Sequence, residues 1–286
     1  MNTKTYSYTY DDCETKDVHT MLEEILNDPE LPKLEEIVIG CWGECWDENC
    51  QALLDGIVAN KEKFMHIKSL FIGDMDYEEC EVSWIMQGNY EELLKALPNL
   101  EALTIKGSSE LVLGEIHHEN LRELEIICGG LPKNVLVSIK NAYLPNLRKL
   151  NLYIGIEDYG FDGDLEDVLG VLENSSFKNL EYLGLGDSDI QDEIVEGVMA
   201  ANWPENLKVL DFSNGTLSDK GAQALIDHKE RLEKLETVDL TYHYLTDKMQ
   251  EKLSRLAVNV ILEDGQEILD EDDEDYDYYK YPMLTE

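Results

Sequence analysis

The sequence predicts an α/β solenoid, with parallel strands on its inner face and helices and loops on its outer face. Three observations predict it. One is the stretch from Leu207 to Leu225, where Leu207, Leu210 and Phe212 suit a short strand. There Leu217, Ala224 and Leu225 then take helical spacing behind the cap candidates Ser218 and Asp219. A second is the recurrence of the apolar-x-x-apolar-x-apolar phrase at Leu34, Ile67, Leu100, Leu121, Leu147, Leu180, Leu207 and Leu235, with a degenerate copy at Ala257, Val260 and Leu262. A third is the spacing of those nine starts: 33, 33, 21, 26, 33, 27, 28 and 22 residues. A unit of that length holds one strand and one return segment. It buries an apolar edge only against its neighbours, so the strands must stack in parallel.

The frame over residues 34–262 resembles the leucine-rich-repeat superfamily, in particular its ribonuclease-inhibitor-like branch, which implies a horseshoe of about nine parallel strands. One departure stands out. The asparagine usual three residues past the last strand position is replaced by Trp42, Met75, Ser108, Gly129, Gly155, Ser188, Gly215 and His243, which predicts irregular turns. The strings FIGDMDYEECEVSWIMQGNY and LPNLEALTIKG also resemble a bacterial family of cytoplasmic leucine-rich-repeat proteins without an assigned activity. That resemblance implies a shared fold and binding face, not a mechanism.

In chain order, residues 1–33 read as an arm and a capping helix. Residues 1–16 suit an edge strand or a loose arm. The run Asp17 to Asn27 is amphipathic, with Val18, Met21, Leu22, Ile25 and Leu26 on one face. Residues 34–262 are the repeats. Helices are predicted at about 47–60, capped by Asp47, at 90–96 and at 165–173. Gly129, Gly130 and Pro132 predict a loop or strand in place of a helix in the fourth unit. Residues 263–286 hold 11 acidic residues against Lys280 and read as a disordered acidic tail.

The formal charge is −39, of which the tail supplies −10 and the remaining 262 residues −29. Such a field repels phosphate, which argues against nucleic acid and anionic membranes as ligands and favours a basic protein or peptide. No apolar run reaches the roughly 20 residues needed to span a bilayer. The first residues carry no signal sequence, which predicts a cytoplasmic monomer whose six cysteines are thiols.

Outward positions of the strands are Glu36, Val38; Ser69, Phe71; Ala102, Thr104; Glu123, Glu125; Lys149, Asn151; Tyr182, Gly184; Val209, Asp211; and Thr237, Asp239. They read as an interaction face in preference to plain solvated surface, because solenoids bind on this side. Candidate partner-binding residues are Val38, Trp42, Trp46, Phe71, Tyr77, Tyr159, Phe161, Tyr182, Tyr242 and Tyr244, since Trp and Tyr anchor interfaces. Trp84, beside Ile85, reads as core. Cys41, Cys45 and Cys50 match no usual zinc spacing and read as buried thiols. Asp74 and Asp76, and Asp158, Asp162 and Asp164, fit no calcium loop; His117-His118 is a weak metal pair. No phosphate loop, nucleophile elbow or metalloprotease motif is present, so the expectation is a non-catalytic binding module without cofactor. The alternative is an acidic inhibitor that mimics nucleic-acid charge.

Overall fold

The computed structural model of the protein describes residues 2–267 and 280–285; the expected disorder of the acidic tail over 268–279 lies outside them. Its elements in chain order are β1 (Thr3–Tyr6), α1 (Tyr10–Cys13), α2 (Val18–Asn27), β2 (Glu36–Ile39), α3 (Gln51–Ala59), β3 (Ser69–Ile72), α4 (Glu91–Ala96), β4 (Ala102–Lys106), β5 (Glu123–Ile127) and α5 (Lys133–Asn141). They continue with β6 (Lys149–Gly155), α6 (Leu165–Gly170), β7 (Tyr182–Ser188), α7 (Gln191–Ala200), β8 (Val209–Asp211), α8 (Asp219–Asp227), α9 (Lys229–Leu232), β9 (Thr237–Asp239), α10 (Asp247–Leu253) and β10 (Asn259–Ile261). The strands form one open parallel sheet in sequence order, β1 to β10. This is an α/β fold with a solenoid-like arrangement.

The repeat phrase explains the register. Ile37, Leu70, Leu103, Leu124, Leu150, Leu183, Leu210 and Val238 lie side by side across the sheet. All are buried. Side chains alternate along a strand, so the residues between them form two outward rows. The first runs Thr3, Glu36, Ser69, Ala102, Glu123, Lys149, Tyr182, Val209, Thr237, Asn259. The second runs Thr5, Val38, Phe71, Thr104, Glu125, Asn151, Gly184, Asp211, Asp239, Ile261.

Helix starts follow ordinary capping chemistry. Asp17 accepts from the Thr20 backbone N–H at 2.8 Å, and Asp164 forms a capping box with Asp167. α2 turns Val18, Met21 and Ile25 inward and closes the apolar end of the first units.

Four expectations need correction. There are ten strands, because Thr3–Tyr6 adds an edge strand that lacks the leucine phrase. The fourth unit does carry a helix, α5, with Pro132 at its N-cap and Val135, Leu136 and Ile139 buried. Proline is compatible with a helix start because the first N–H groups have no intrahelical partner. The 21-residue third unit is the one without a helix, among the described residues, and Leu111, Leu113 and Ile116 fill its outer side. The helix predicted from Asp47 starts at Gln51. Trp84 is 59% exposed, while Val82 and Ile85 beside it are buried.

An asparagine ladder exists after all, on the other side of the strands. Asn99, Asn120, Asn146, Asn179 and Asn206 each precede the first leucine of a unit. Their amides donate to the carbonyls of Met65, Pro98, Glu119, Pro145 and Lys178, at 2.8–2.9 Å. Each bond ties one unit to the preceding one.

Gly155 ends β6 at φ +71, and a Cβ there would run into the Gly129 carbonyl. Gly155→Ala combines left-handed strain of roughly 1–2 kcal/mol with overpacking of roughly 1–3 kcal/mol. It is therefore expected to lower stability by about 2–5 kcal/mol, read as a shifted denaturant midpoint.

Candidate functional site

The outward rows change character along the sheet. At β2 and β3, Val38 and Phe71 are paired neighbours, with Thr5 and Thr104 on either side. From β5 to β8 the outward positions are mostly polar, and several bond to one another. Lys149 Nζ lies 2.9 Å from Glu125, and the Asn151 amide donates to the same carboxylate at 2.7 Å. The Tyr182 hydroxyl donates to Asp211. Burial, then the adjacent Asp211 charge, pushes the Tyr182 phenol far above its ordinary range, so it stays a donor at all working pH values. Lys149 also sits 5.4 Å from the Tyr182 ring centroid, a cation–π distance.

The fourth residue after the aligned Leu183, Leu210 and Val238 is an equivalent position at the ends of β7, β8 and β9. Asp187, near the end of β7, and Asn214 and Tyr242, just past β8 and β9, sit there with φ of 53, 66 and 61°. Each gives its backbone N–H to the next unit, to Ser213, Thr241 and Glu263 carbonyls at 2.8–2.9 Å. Residues 280–285 lie across these positions. The Tyr281 carbonyl accepts from the Tyr244 hydroxyl at 3.1 Å and the Tyr242 hydroxyl at 3.3 Å. The Met283 N–H donates to the Asn214 carbonyl at 2.8 Å, and the Leu284 N–H to Asp187 Oδ1 at 2.9 Å. Pro282 is buried.

Asp187 is fully buried, and among the described residues its Oδ2 has no hydrogen-bond partner. Burial pushes its carboxyl up to about 8, while the single Leu284 N–H pulls the other way.

At the other end of the sheet, Cys13 Sγ lies 3.7 Å from Cys41 Sγ, which is 3.9 Å from Cys45 Sγ. The neighbouring thiols of Cys41 and Cys80, then burial, push Cys45 well above the ordinary thiol range, while its hydrogen bond to Cys41 lowers Cys41. Cys50, grouped with Cys41 and Cys45 by spacing, lies apart beside Gln87 Oε1 at 3.5 Å. A surface pocket of about 340 Å³ opens beside this cluster, lined among others by Tyr8, Tyr10, Cys13, Cys41 and Trp46. Among the described residues no group of His, Cys, Asp and Glu is arranged to hold a metal ion. Asp76 and Asp164 accept from local backbone N–H groups, Asp162 accepts from the Lys133 N–H at the start of α5 at 2.6 Å, and His118 is a buried imidazole bonded to the Leu97 carbonyl at 3.0 Å.

The ten candidate anchors separate into distinct places. Trp46 and Tyr77 are 38% and 76% exposed, near the cysteine pocket. Val38 and Phe71 share the outward row, Val38 nearly buried and Phe71 half-buried. Tyr182 is half-buried within the polar network, and Tyr159 half-buried near Gly129. Tyr242 and Tyr244 contact residue 281. Two are corrections. Trp42 is fully buried, its indole N–H donating to the Glu48 carbonyl at 2.9 Å; Phe161 is buried where its loop folds onto Gly130. Neither ring can reach a partner. Sequence reasoning missed Asp187 and Asn214; the visible signal was a short polar residue at the same turn position of consecutive units.

No helix among the described residues is long and apolar enough to cross a membrane. No protein-family model matches the chain. The DNA mismatch repair protein MSH3 of Vanderwaltozyma polyspora is 25% identical over 232 residues, 78% of this chain but 22% of that protein. The chain thus spans less than a quarter of that relative's length. The crystal structure of a Bacteroides fragilis protein from the Northeast Structural Genomics Consortium superposes with a TM-score of 0.87 at 41% identity, covering 93% of this chain and 75% of that one. At that identity and coverage, the chain belongs to the same family as this Bacteroides fragilis protein and shares its fold.

Proposed function

We propose that the chain is a leucine-rich-repeat solenoid of the ribonuclease-inhibitor-like kind. It acts as a non-catalytic, monomeric cytoplasmic module that binds a protein or peptide with a basic surface. The observation that carries this reading is the pair of outward rows. They hold Val38 and Phe71 at one end, and Glu123, Glu125, Asp211 and Asp239 farther along, on a sheet whose register is already fixed. A preformed surface loses little ordering entropy on binding. Its carboxylates attract a cationic partner over distance, and the apolar pair supplies contact energy.

Affinity purification with wild-type chain and with Phe71→Asp, at low and high salt, tests the reading. The expected result is a partner whose association slows as salt rises and whose retention falls at least about tenfold, or roughly 1.4 kcal/mol, in the variant. A partner indifferent to both places the binding surface elsewhere. The net charge of −39 favours a second reading, an inhibitor that imitates nucleic-acid charge. Replacing the acidic residues between Asp270 and Asp277 by their amides should weaken such a mimic sharply and the row-bound partner only modestly.

A further inference from the structure

Residues 280–285 are held as a ligand would be held. Three consecutive repeats present the same turn position, and each meets a successive part of the segment: Tyr242 meets Tyr281, Asn214 meets Met283, and Asp187 meets Leu284. The geometry is self-consistent. Neighbouring strands are about 4.8 Å apart, so two steps from β9 to β7 span roughly 9.6 Å. Three residues, from 281 to 284, can cover at most roughly 10 Å, and the segment bends at Met283. Its contacts nonetheless follow the three repeats in order. They are largely main-chain N–H and C=O groups, which any peptide carries. Side-chain selectivity comes from the burial of Pro282 and from Lys280 lying 5.8 Å from the Tyr244 ring centroid; the Tyr244 hydroxyl also accepts from the Tyr281 main-chain N–H at 3.2 Å. At the far end a Cβ on Gly129 would come within 2.6 Å of the Thr285 carbonyl, so the glycine leaves room for the peptide backbone.

We propose that the ends of β7, β8 and β9 form a peptide-binding groove occupied in cis by residues 280–285. Its partner in trans is a peptide segment of the same chemistry: a cation, then an aromatic residue, proline and two apolar residues. Residues 280–285 act as a built-in competitor. Only twelve residues separate Glu267 from Lys280, and a short connection sets an effective concentration on the order of millimolar. A partner must outbid that concentration or wait for release. This inference deepens the protein-binding reading and rests on it, but it names a groove distinct from the Val38–Phe71 row.

The test uses the full chain and a fluorescent peptide with the sequence of residues 279–285, followed by polarisation. In the variant Pro282→Gly with Leu284→Asp, the cis segment loses its buried ring and an apolar side chain, and the groove is freed. The labelled peptide is expected to bind this variant at least tenfold more tightly than wild type. A scrambled peptide should not bind, and adding Tyr244→Ala should weaken the interaction. A second released form, Tyr281→Ala with Met283→Asp, should behave alike if the first loses its far-ultraviolet circular dichroism. Equal binding to wild type and both released forms, equal binding of the scrambled peptide, or no binding to either released form overturns the proposal. A released form that doubles in mass with concentration would assign the segment to a second copy and overturn cis occupancy. None of these outcomes depends on the Phe71 partner, so either reading can fail alone.

Discussion

Trp42→Ala is expected to cost about 3–5 kcal/mol of stability, the range for emptying a buried aromatic site. Trp42 is among the largest fully buried side chains, packed in the apolar core at the N-terminal end of the sheet. Truncation leaves a cavity and strips the Glu48 carbonyl of its indole donor. Denaturant midpoints measure the loss. Trp46→Ala, at a 38% exposed ring four residues on, is the control and should stay within about 0.5 kcal/mol. An anchor at a binding surface would show the opposite pattern, an unchanged midpoint and lost affinity.

Asp187→Asn is expected to make the protein more stable in alkali and to flatten its pH profile. Burial holds the wild-type carboxyl at about 8 in the fold, against an ordinary value of 3.8. Between those values the folded state binds more protons than the unfolded state, so stability falls as pH rises and levels off above about 8. At about 1.4 kcal/mol per unit, that window spans several kcal/mol. Burial, and to a lesser degree the charged form of Asp187, raises Tyr153, Tyr242 and Cys128 above their ordinary values, so all three stay neutral through the window and add no slope of their own. Asparagine tolerates the left-handed backbone at φ 53°, keeps an oxygen for the Leu284 N–H and cannot ionise. Thermal melts of both proteins from pH 5 to pH 9 check the result; parallel curves would remove Asp187 as the source of pH dependence.

The leucine phrase made the strands legible, because one buried residue every second position sets both the face and the register. Residue pairs such as Val38 with Phe71 and Glu125 with Asn151 follow from counting alone. Residues 1–16 could be read only as an edge strand or a loose arm, because the edge strand Thr3–Tyr6 buries too little to need leucines. α5 escaped because Gly129, Gly130 and Pro132 resemble a loop, although proline at an N-cap begins a helix as readily as it ends one. The asparagine ladder was present in the Asn-Leu pairs that open five units, on the side where the family pattern does not place it. Trp42, Phe161, the approach of Cys13 to Cys41 and the docking of residue 284 on Asp187 all depend on contacts between distant positions. No local spacing encodes those.

Among the described residues the open parallel sheet ends at β1 on one side and β10 on the other. Two such edges are complementary, since β10 of one copy could continue into β1 of the next. Such stacking would propagate without closing. Two features oppose it: β10 is only three residues long and is followed by Glu263 and Asp264, and every copy carries the same large negative charge. Mutual repulsion between copies thus guards the protein against end-on fibre growth.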